Sequence, residues 1–440
     1  MFKKIYSRFT MVAVSVLCGT TLFAQSGAYS GFTPYSVFGI GDMAKDGSAY
    51  NRSMGGVGIA ARNNRFLNSM NPAAVTAKDS LSFMADFGLT QNNTLYKQGS
   101  VNSVNNTFNI NNLVFSFPVY KSSAVMFGIT PYSNVGYSFA ANETDQSIIG
   151  KTGNIKYSMD GSGSIYQLFG AAGATFWKRL SVGAELVYYF GSLSKSSAIT
   201  YSNTAYRSLN SGYDMKLRGT TAKFGVQYEF PLSTDYLLTV GATYKLGTNM
   251  RGYVDDYSIA SISSVSDTLR YNTDTLKNNL GKVKFADELG VGVSLKYRDR
   301  FMIEMDYLRS DFSKCGYADV TGFKSAGAST FSTTNSQSFR VGMEYVPNRS
   351  DIRYYYRRVA YRLGAYYNQD YYKLDGNTVN STGLTFGATL PVFRWYNGLT
   401  IGVDVGQRGK IGGNMVRERY ANFTIGFNIF DIWFQKPRYD

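Results

Sequence analysis

Along most of this chain, apolar residues recur at every second position, and the positions between them are small, polar or charged. The last instance is the cleanest: in Phe423-Thr424-Ile425-Gly426-Phe427-Asn428-Ile429, two Phe and two Ile share one face. Leu289-Gly290-Val291-Gly292-Val293-Ser294-Leu295 and Leu399-Thr400-Ile401-Gly402-Val403-Asp404-Val405 repeat the form. Period two places alternate side chains on opposite faces of a β-strand. Because the second face carries glycines and charges, it packs no second apolar layer and turns to water or a polar interior.

Such segments number about 14, near 80–91, 107–119, 123–138, 164–176, 179–192, 213–230, 236–248, 283–297, 300–311, 335–346, 359–369, 381–391, 397–407 and 418–430. Their connections alternate in length. Tyr120-Lys121-Ser122, Trp177-Lys178, Pro231 to Asp235, Arg298-Asp299 and Val392 to Tyr396 are short; 92–106, 139–163, 193–212, 249–282 and 312–334 are long. Pro347 to Arg358 falls on the short side but is longer than its class. An even strand count, with short turns at one end and long loops at the other, is the pattern of a bacterial transmembrane barrel. The fold class is therefore all-β: an antiparallel transmembrane β-barrel of about 14 strands.

Composition agrees. Thirty-six Tyr and 30 Phe stand beside 45 Gly and only eight Pro, which suits aromatic girdles around an apolar outside. Tyr354-Tyr355-Tyr356, Tyr366-Tyr367 and Tyr371-Tyr372 fall at strand ends and read as such a belt, which does not exclude sugar stacking. The polar loops, as in Tyr257 to Leu269, read as solvated surface. No run of 18 apolar residues follows Ala24, which excludes helical spans.

The first 24 residues have the form of an export signal: Lys3, Lys4 and Arg8, an apolar run from Met11 to Leu17, then Leu22-Phe23-Ala24 before Gln25. Its removal leaves 42 Lys and Arg against 30 Asp and Glu, a balance of +12, scattered rather than clustered. That surplus suits anionic lipid head groups and not nucleic acid. Of two cysteines, only Cys315 remains, so no internal disulfide forms.

Residues 25–79 form an N-terminal extension ahead of the barrel, 80–440. Arg52 to Asp79 reads as neither strand nor helix: Gly55, Gly56 and Gly58 lie within four positions, Arg62 and Arg65 follow, and Asn71-Pro72-Ala73 marks a turn. A barrel of ~14 strands is wider than its own side chains fill. This stretch is the expected plug, or hatch, with Arg52, Arg62 and Arg65 facing carboxylates of the wall.

The inward positions of the strands include five acids, Glu185, Glu304, Asp306, Glu344 and Asp404, and four bases, Lys245, Lys296, Arg340 and Arg362. Either they brace the interior in pairs, or they line and gate a conduit. Pro131 lies in the third strand and interrupts a ladder, which either bends the strand or opens the wall sideways. No histidine occurs anywhere, which removes imidazole metal sites and His-based nucleophile schemes. No enzyme, cofactor or metal is expected.

With its signal, its glycine-containing N-terminal segment, Asn71-Pro72-Ala73 just before the first strand and its apolar last strand, the chain resembles the FadL/TodX outer-membrane hydrocarbon transporters. The resemblance implies that the N-terminal segment folds into the barrel as a hatch carrying the Asn-Pro-Ala motif. It also implies that a kink at Pro131 gives a lateral exit, and that small hydrophobic molecules such as fatty acids are taken up passively. Some barrels of this appearance are instead non-transporting subunits of secretion or barrel-assembly machines, and the many inward charges suit that alternative. The partners implied are outer-membrane lipid, a hydrophobic small molecule and other outer-membrane proteins.

Overall fold

The computed structural model describes residues 31–79, 82–120, 122–262, 265–272, 283–317, 322–323, 330–392, 397–412 and 414–432. The signal and the expected start at Gln25 lie outside the described residues.

Fourteen long strands form the wall: β1 (Ser82–Gln98), β2 (Val101–Tyr120), β3 (Ser123–Asn142), β4 (Ile155–Phe176), β5 (Leu180–Tyr201), β6 (Ser208–Pro231), β7 (Tyr236–Lys245), β8 (Glu288–Tyr297), β9 (Phe301–Asp311), β10 (Asn335–Tyr345), β11 (Ala360–Leu374), β12 (Asn377–Pro391), β13 (Gly398–Arg408) and β14 (Arg417–Ile432). Each pairs antiparallel with its sequence neighbours, and β14 returns to β1 from Ser82↔Ile432 to Lys97↔Arg417, so the sheet closes. Each of the 14 expected segments corresponds to one strand.

The alternation is realised as expected. Phe423, Ile425, Phe427 and Ile429 face outward and are exposed, while Thr424, Asn428 and their counterparts Gly290, Gly292 and Ser294 on β8 are buried inward. An apolar outer band with a polar inner face is the arrangement a bilayer demands of a barrel. Among the described residues no helix is long and apolar enough to cross a membrane.

The strands run further at the long-loop end than the sequence indicates. The expected loop 92–106 is a hairpin that turns on Gly99 and Ser100, with Gln98 paired to Val101. Within 249–282, Arg251–Ile262 and Val265–Asn272 form a further hairpin that prolongs the wall beside β6. Above the lipid band both faces of a strand meet polar surroundings, so the apolar alternation stops while the backbone ladder continues. Asp375-Gly376, with φ of 48° and 77°, makes the tight β11–β12 turn for which this dipeptide is suited.

The tyrosine clusters divide. Tyr354, Tyr355, Tyr356 and Tyr367 are exposed as a belt requires, whereas Tyr366, Tyr371 and Tyr372 are buried inside. A register shift between Gln369 and Lys373 puts Tyr371 and Tyr372 both among core residues, which strict alternation does not allow.

Candidate functional site

The bore of the barrel is occupied by residues 31–79 at two levels. At the long-loop end, Tyr35, Phe38 and Ile40 join Phe312, Tyr317, Phe323, Tyr371 and Tyr372 in an aromatic core. Phe38 lies 5.5 Å from Phe331 and 5.9 Å from Tyr372, and Tyr317 stacks 5.5 Å from Phe323. Backbone is fixed there too. The Gly39 amide donates to the Phe323 carbonyl (2.9 Å), and the buried Lys195 ammonium on β5 donates to the carbonyls of Val37 (2.9 Å) and Gly39 (2.8 Å).

Nearer the short-turn end, residues 49–76 make a second closure of different chemistry. Asp306 on β9 accepts from the amides of Gly58 (2.7 Å) and Ile59 (3.0 Å), and Glu304 accepts from those of Ala60 and Ala61 (2.8 Å each). Gly55 donates to Thr385 on β12 (2.7 Å), and Arg340 on β10 donates to the Gly56 carbonyl (2.9 Å). Gly55 and Gly56 have φ of 70° and 78°, and a Cβ on Gly55 would lie 2.6 Å from the Val341 carbonyl oxygen. Neither the conformation nor the space admits a side chain.

Asn71 holds the turn that Pro72 begins. Its carboxamide oxygen accepts from Ala73 N–H (3.0 Å) as an N-cap, and its NH₂ donates to the Ile59 carbonyl (2.8 Å). The turn lies directly on wall glycines: a Cβ on Gly225 would fall 2.0 Å from the Asn71 Oδ1, and one on Gly183 2.4 Å from Pro72. Gly241, Gly342, Gly364 and Gly387 are likewise pressed against residues 53–60. The small inward residues of the alternation therefore serve not merely to face water. They let a second backbone lie against the wall from many sides.

The charges expected inward are mostly brought together, with partners the sequence did not indicate. Glu344 pairs with Arg362 and with Arg349 (2.9 Å each), and the Arg362 guanidinium sits 4.2 Å over the ring of Tyr50, which stacks on Phe66 at 4.6 Å. Asp404 pairs with Lys45 and accepts from Tyr366 (2.7 Å). Lys245 pairs with Glu288 (3.5 Å), and Glu185 is buried. Lys296 stands apart at the short-turn mouth, 2.7 Å from Asp299.

Of the expectation that Arg52, Arg62 and Arg65 face some of the five wall acids, Arg52 does feel the charge of Asp404, but the direct contacts of Arg52 and Arg62 go elsewhere. Arg62 meets Glu229 (3.4 Å) and Gln227 (3.0 Å), and Arg52 donates to Asn111 (2.9 Å) and to the Gly47 carbonyl (3.2 Å). The Arg65 carbonyl accepts from Asn428. Asp306 and Glu304 instead take backbone amides, because a glycine- and alanine-rich segment brings its N–H groups within direct reach of the wall. A further cluster, Arg408 with Asp42 (2.8 Å) and Asp370 (2.7 Å), ties the N-terminal segment to the upper wall.

Between the two closures lies a cavity of about 310 Å³, bordered by Lys45, Arg52, Asn92, Asn109, Tyr366, Asp404, Tyr420 and Thr424 among others. Its surroundings mix hydroxyls, amides and paired charges with apolar groups such as Phe32, Met43, Pro131, Leu308 and Phe312. It reaches the wall beside Pro131, where the β2–β3 ladder ends at Leu113↔Ile129 although both strands continue. The register of β3 against β4 shifts between Pro131 and Ser133. The third strand thus bends at Pro131, and the wall parts beside it.

Cys315 is buried and donates to the Asp311 carbonyl at 3.5 Å; burial pushes its thiol up to about 12. It is packed rather than reactive. Nothing periodic marks Tyr50 and Phe66: they stand sixteen residues apart outside any regular segment and match no strand or helix pattern.

A model of the BamG family matches residues 1–440, the whole chain. The chain belongs to the BamG family. No curated protein matches this BamG-family chain in sequence. Solved structures resemble it in fold. The toluene transporter TbuX of Ralstonia pickettii superposes with a TM-score of 0.59 at 16% identity, over 87% of this chain and 98% of its own. A Pseudomonas aeruginosa FadL homologue gives 0.55 at 10%, over 89% and 100%. The toluene transporter TodX of Pseudomonas putida gives 0.54 at 14%, over 91% and 100%. This BamG-family barrel therefore has the FadL/TodX fold.

Proposed function

We propose that this barrel is a non-transporting subunit of an outer-membrane barrel-assembly or secretion complex, working through its outer wall and long-loop end. The observation that carries this reading is the double closure of the bore. Residues 49–76 are held by buried amide–carboxylate bonds and close glycine contacts, and residues 35–40 by an aromatic core. The chamber between them carries the charged and amide groups of Lys45, Arg52, Asn92 and Asp404 alongside its apolar ones, and it is shut from both ends. Membership of the BamG family is compatible with this reading. In this reading 25–79 is a fixed plug, 80–440 the barrel, the inward charges are braces, and the signal ends at Ala24, so the mature mass begins at Gln25.

Purification in mild detergent tests it: stoichiometric protein partners without a co-purified hydrophobic molecule are expected. Recovery of the barrel alone, carrying such a molecule, counts against it.

A second reading, passive uptake of small hydrophobic molecules such as fatty acids through hatch movement and lateral release, is favoured by one feature. That feature is the parted wall beside Pro131, next to the chamber. Uptake of a labelled fatty acid into proteoliposomes that falls when the β2–β3 gap is bridged by a disulfide would support it over the first.

A further inference from the structure

We propose that the free edge of β2 is a docking site for an amphipathic, antiparallel β-strand of a second outer-membrane protein. The proposal rests on the assembly reading and names the surface through which assembly occurs.

β2 pairs with β1 along its length, from Val101↔Gln98 to Ser116↔Met84, but its other edge pairs with β3 only from Leu113 toward the short-turn end. Among the described residues no backbone hydrogen bond reaches residues 101–112 on that side. The facing edge of β3 is not free. Asp42 and Met43 pair with Asn134 and Ser133, the Thr33 amide donates to Gly136 (2.8 Å) and the Ala44 amide to Tyr132 (2.9 Å). The described N-terminal segment covers one lip of the gap, and among the described residues the other lip has no backbone partner.

The level of the bare edge follows from register. Outward residues line up in rows across β14, β1 and β2: Phe427, Phe87 and Leu113; Ile425, Leu89 and Ile110; Phe423, Gln91 and Phe108. Next above come Ala421, Asn93 and Asn106, then Arg419, Leu95 and Val104. Residues 108–112 thus lie within the apolar band and 101–107 above it. An unpaired edge is not tolerated against hydrocarbon, because lipid tails offer neither donors nor acceptors.

What satisfies such an edge must present N–H and C=O alternately at ladder spacing, which another backbone does. Self-closure onto β3 would require expelling residues 33–44 from its edge. A second copy in the same membrane has the same up–down orientation, so its β2 would run parallel, whereas every pairing in this wall is antiparallel. The outward side is open, with Val104, Asn106, Phe108 and Ile110 exposed, and inward Asn105, Thr107 and Asn109 are half-buried. Beside outward Phe108 and Ile110 and inward Thr107 and Asn109, the incoming strand needs apolar residues outside and polar ones inside.

The test places a photo-reactive phenylalanine analogue in turn at Asn106, Phe108 and Ile110, and at Val291 on a distant part of the wall, in the full-length protein in cells. Heat-dependent gel mobility confirms that each variant is folded. Expected are adducts to one partner protein from the three β2 sites and not from Val291, with the partner residue stepping backward as the site steps forward. Adducts only to lipid, to a second copy, or to residues 130–142 of the same chain, or forward-stepping adducts, overturn the proposal. A partner that co-purifies in mild detergent but is missed by all three sites overturns the edge alone; no partner at all overturns the assembly reading beneath it.

Discussion

The two closures of this bore solve one problem with opposite materials. The upper one is built of large rings, with Tyr317, Phe323 and Tyr372 fully buried around Phe38 and Ile40. The lower one is built of the smallest residues, with Gly55 and Ala60 laid against wall glycines and the amides of Gly58, Ile59, Ala60 and Ala61 pinned to Asp306 and Glu304. Burial of rings stabilises in proportion to area and tolerates small shifts. Amide–carboxylate bonds in a dry interior are directional, and a displacement strands both partners. The upper closure should therefore contribute mostly stability, and the lower one the seal.

Removing each closure in turn breaks or sharpens that contrast. Deleting 50–78 should have the largest effect, since the chamber would then open to the short-turn end while remaining connected to the gap beside Pro131. An assembled barrel, judged by heat-dependent mobility, should admit small polar solutes in a liposome-swelling assay; unchanged permeability would mean that the lower segment is not the barrier. Phe323→Ala removes a ring with no exposure, and large-to-small core changes of this kind cost ~3–5 kcal/mol. Its unfolding midpoint should fall with no gain in swelling. A leak from Phe323→Ala would erase the distinction between the two closures.

Much of this was legible along the chain, for reasons that differ by level. The strand count and the outward face follow from a period that lipid enforces, so Phe423 to Ile429 could be assigned without any tertiary knowledge. Arg52 to Asp79 stood out because nothing periodic explained it. What stayed hidden are contacts between the two. Gly183 and Gly225 look like ordinary small alternates until Asn71 and Pro72 are laid on them. Asp306 looked like a partner for arginine because ion pairs are set by charge, whereas its actual partners, Gly58 and Ile59 N–H, carry no side-chain signal. Tyr371 and Tyr372 looked like belt residues because a register shift is invisible in a two-residue period.

The glycine contacts offer a finer test. A Cβ on Gly225 would meet the Asn71 Oδ1 at 2.0 Å, while one on outward Gly170 meets nothing within 4 Å. Overpacking costs typically ~1–3 kcal/mol. Gly225→Val should make residues 50–78 accessible to protease with the wall still assembled, and Gly170→Val should not. Equal resistance in the two variants would mean that the wall yields and that the small alternates are not what seats the segment.

The smallest effect should come from Lys78, between the Pro72–Thr76 turn and β1. Its ammonium has no hydrogen-bond partner among the described residues, and burial pulls it down from 10.5 to about 7. The unfolded chain therefore binds a proton between about pH 7 and 10.5 that the folded chain does not, so stability should rise with pH across that window and be flat in this respect below it. Lys78→Met removes the titrating group while keeping an unbranched stem, and should abolish that slope and raise stability most below pH 7. Unfolding midpoints measured at several pH values in one detergent decide it: a wild-type slope that persists in Lys78→Met belongs to other groups, and Lys78 is then solvated where the chain leaves the lower closure for the wall.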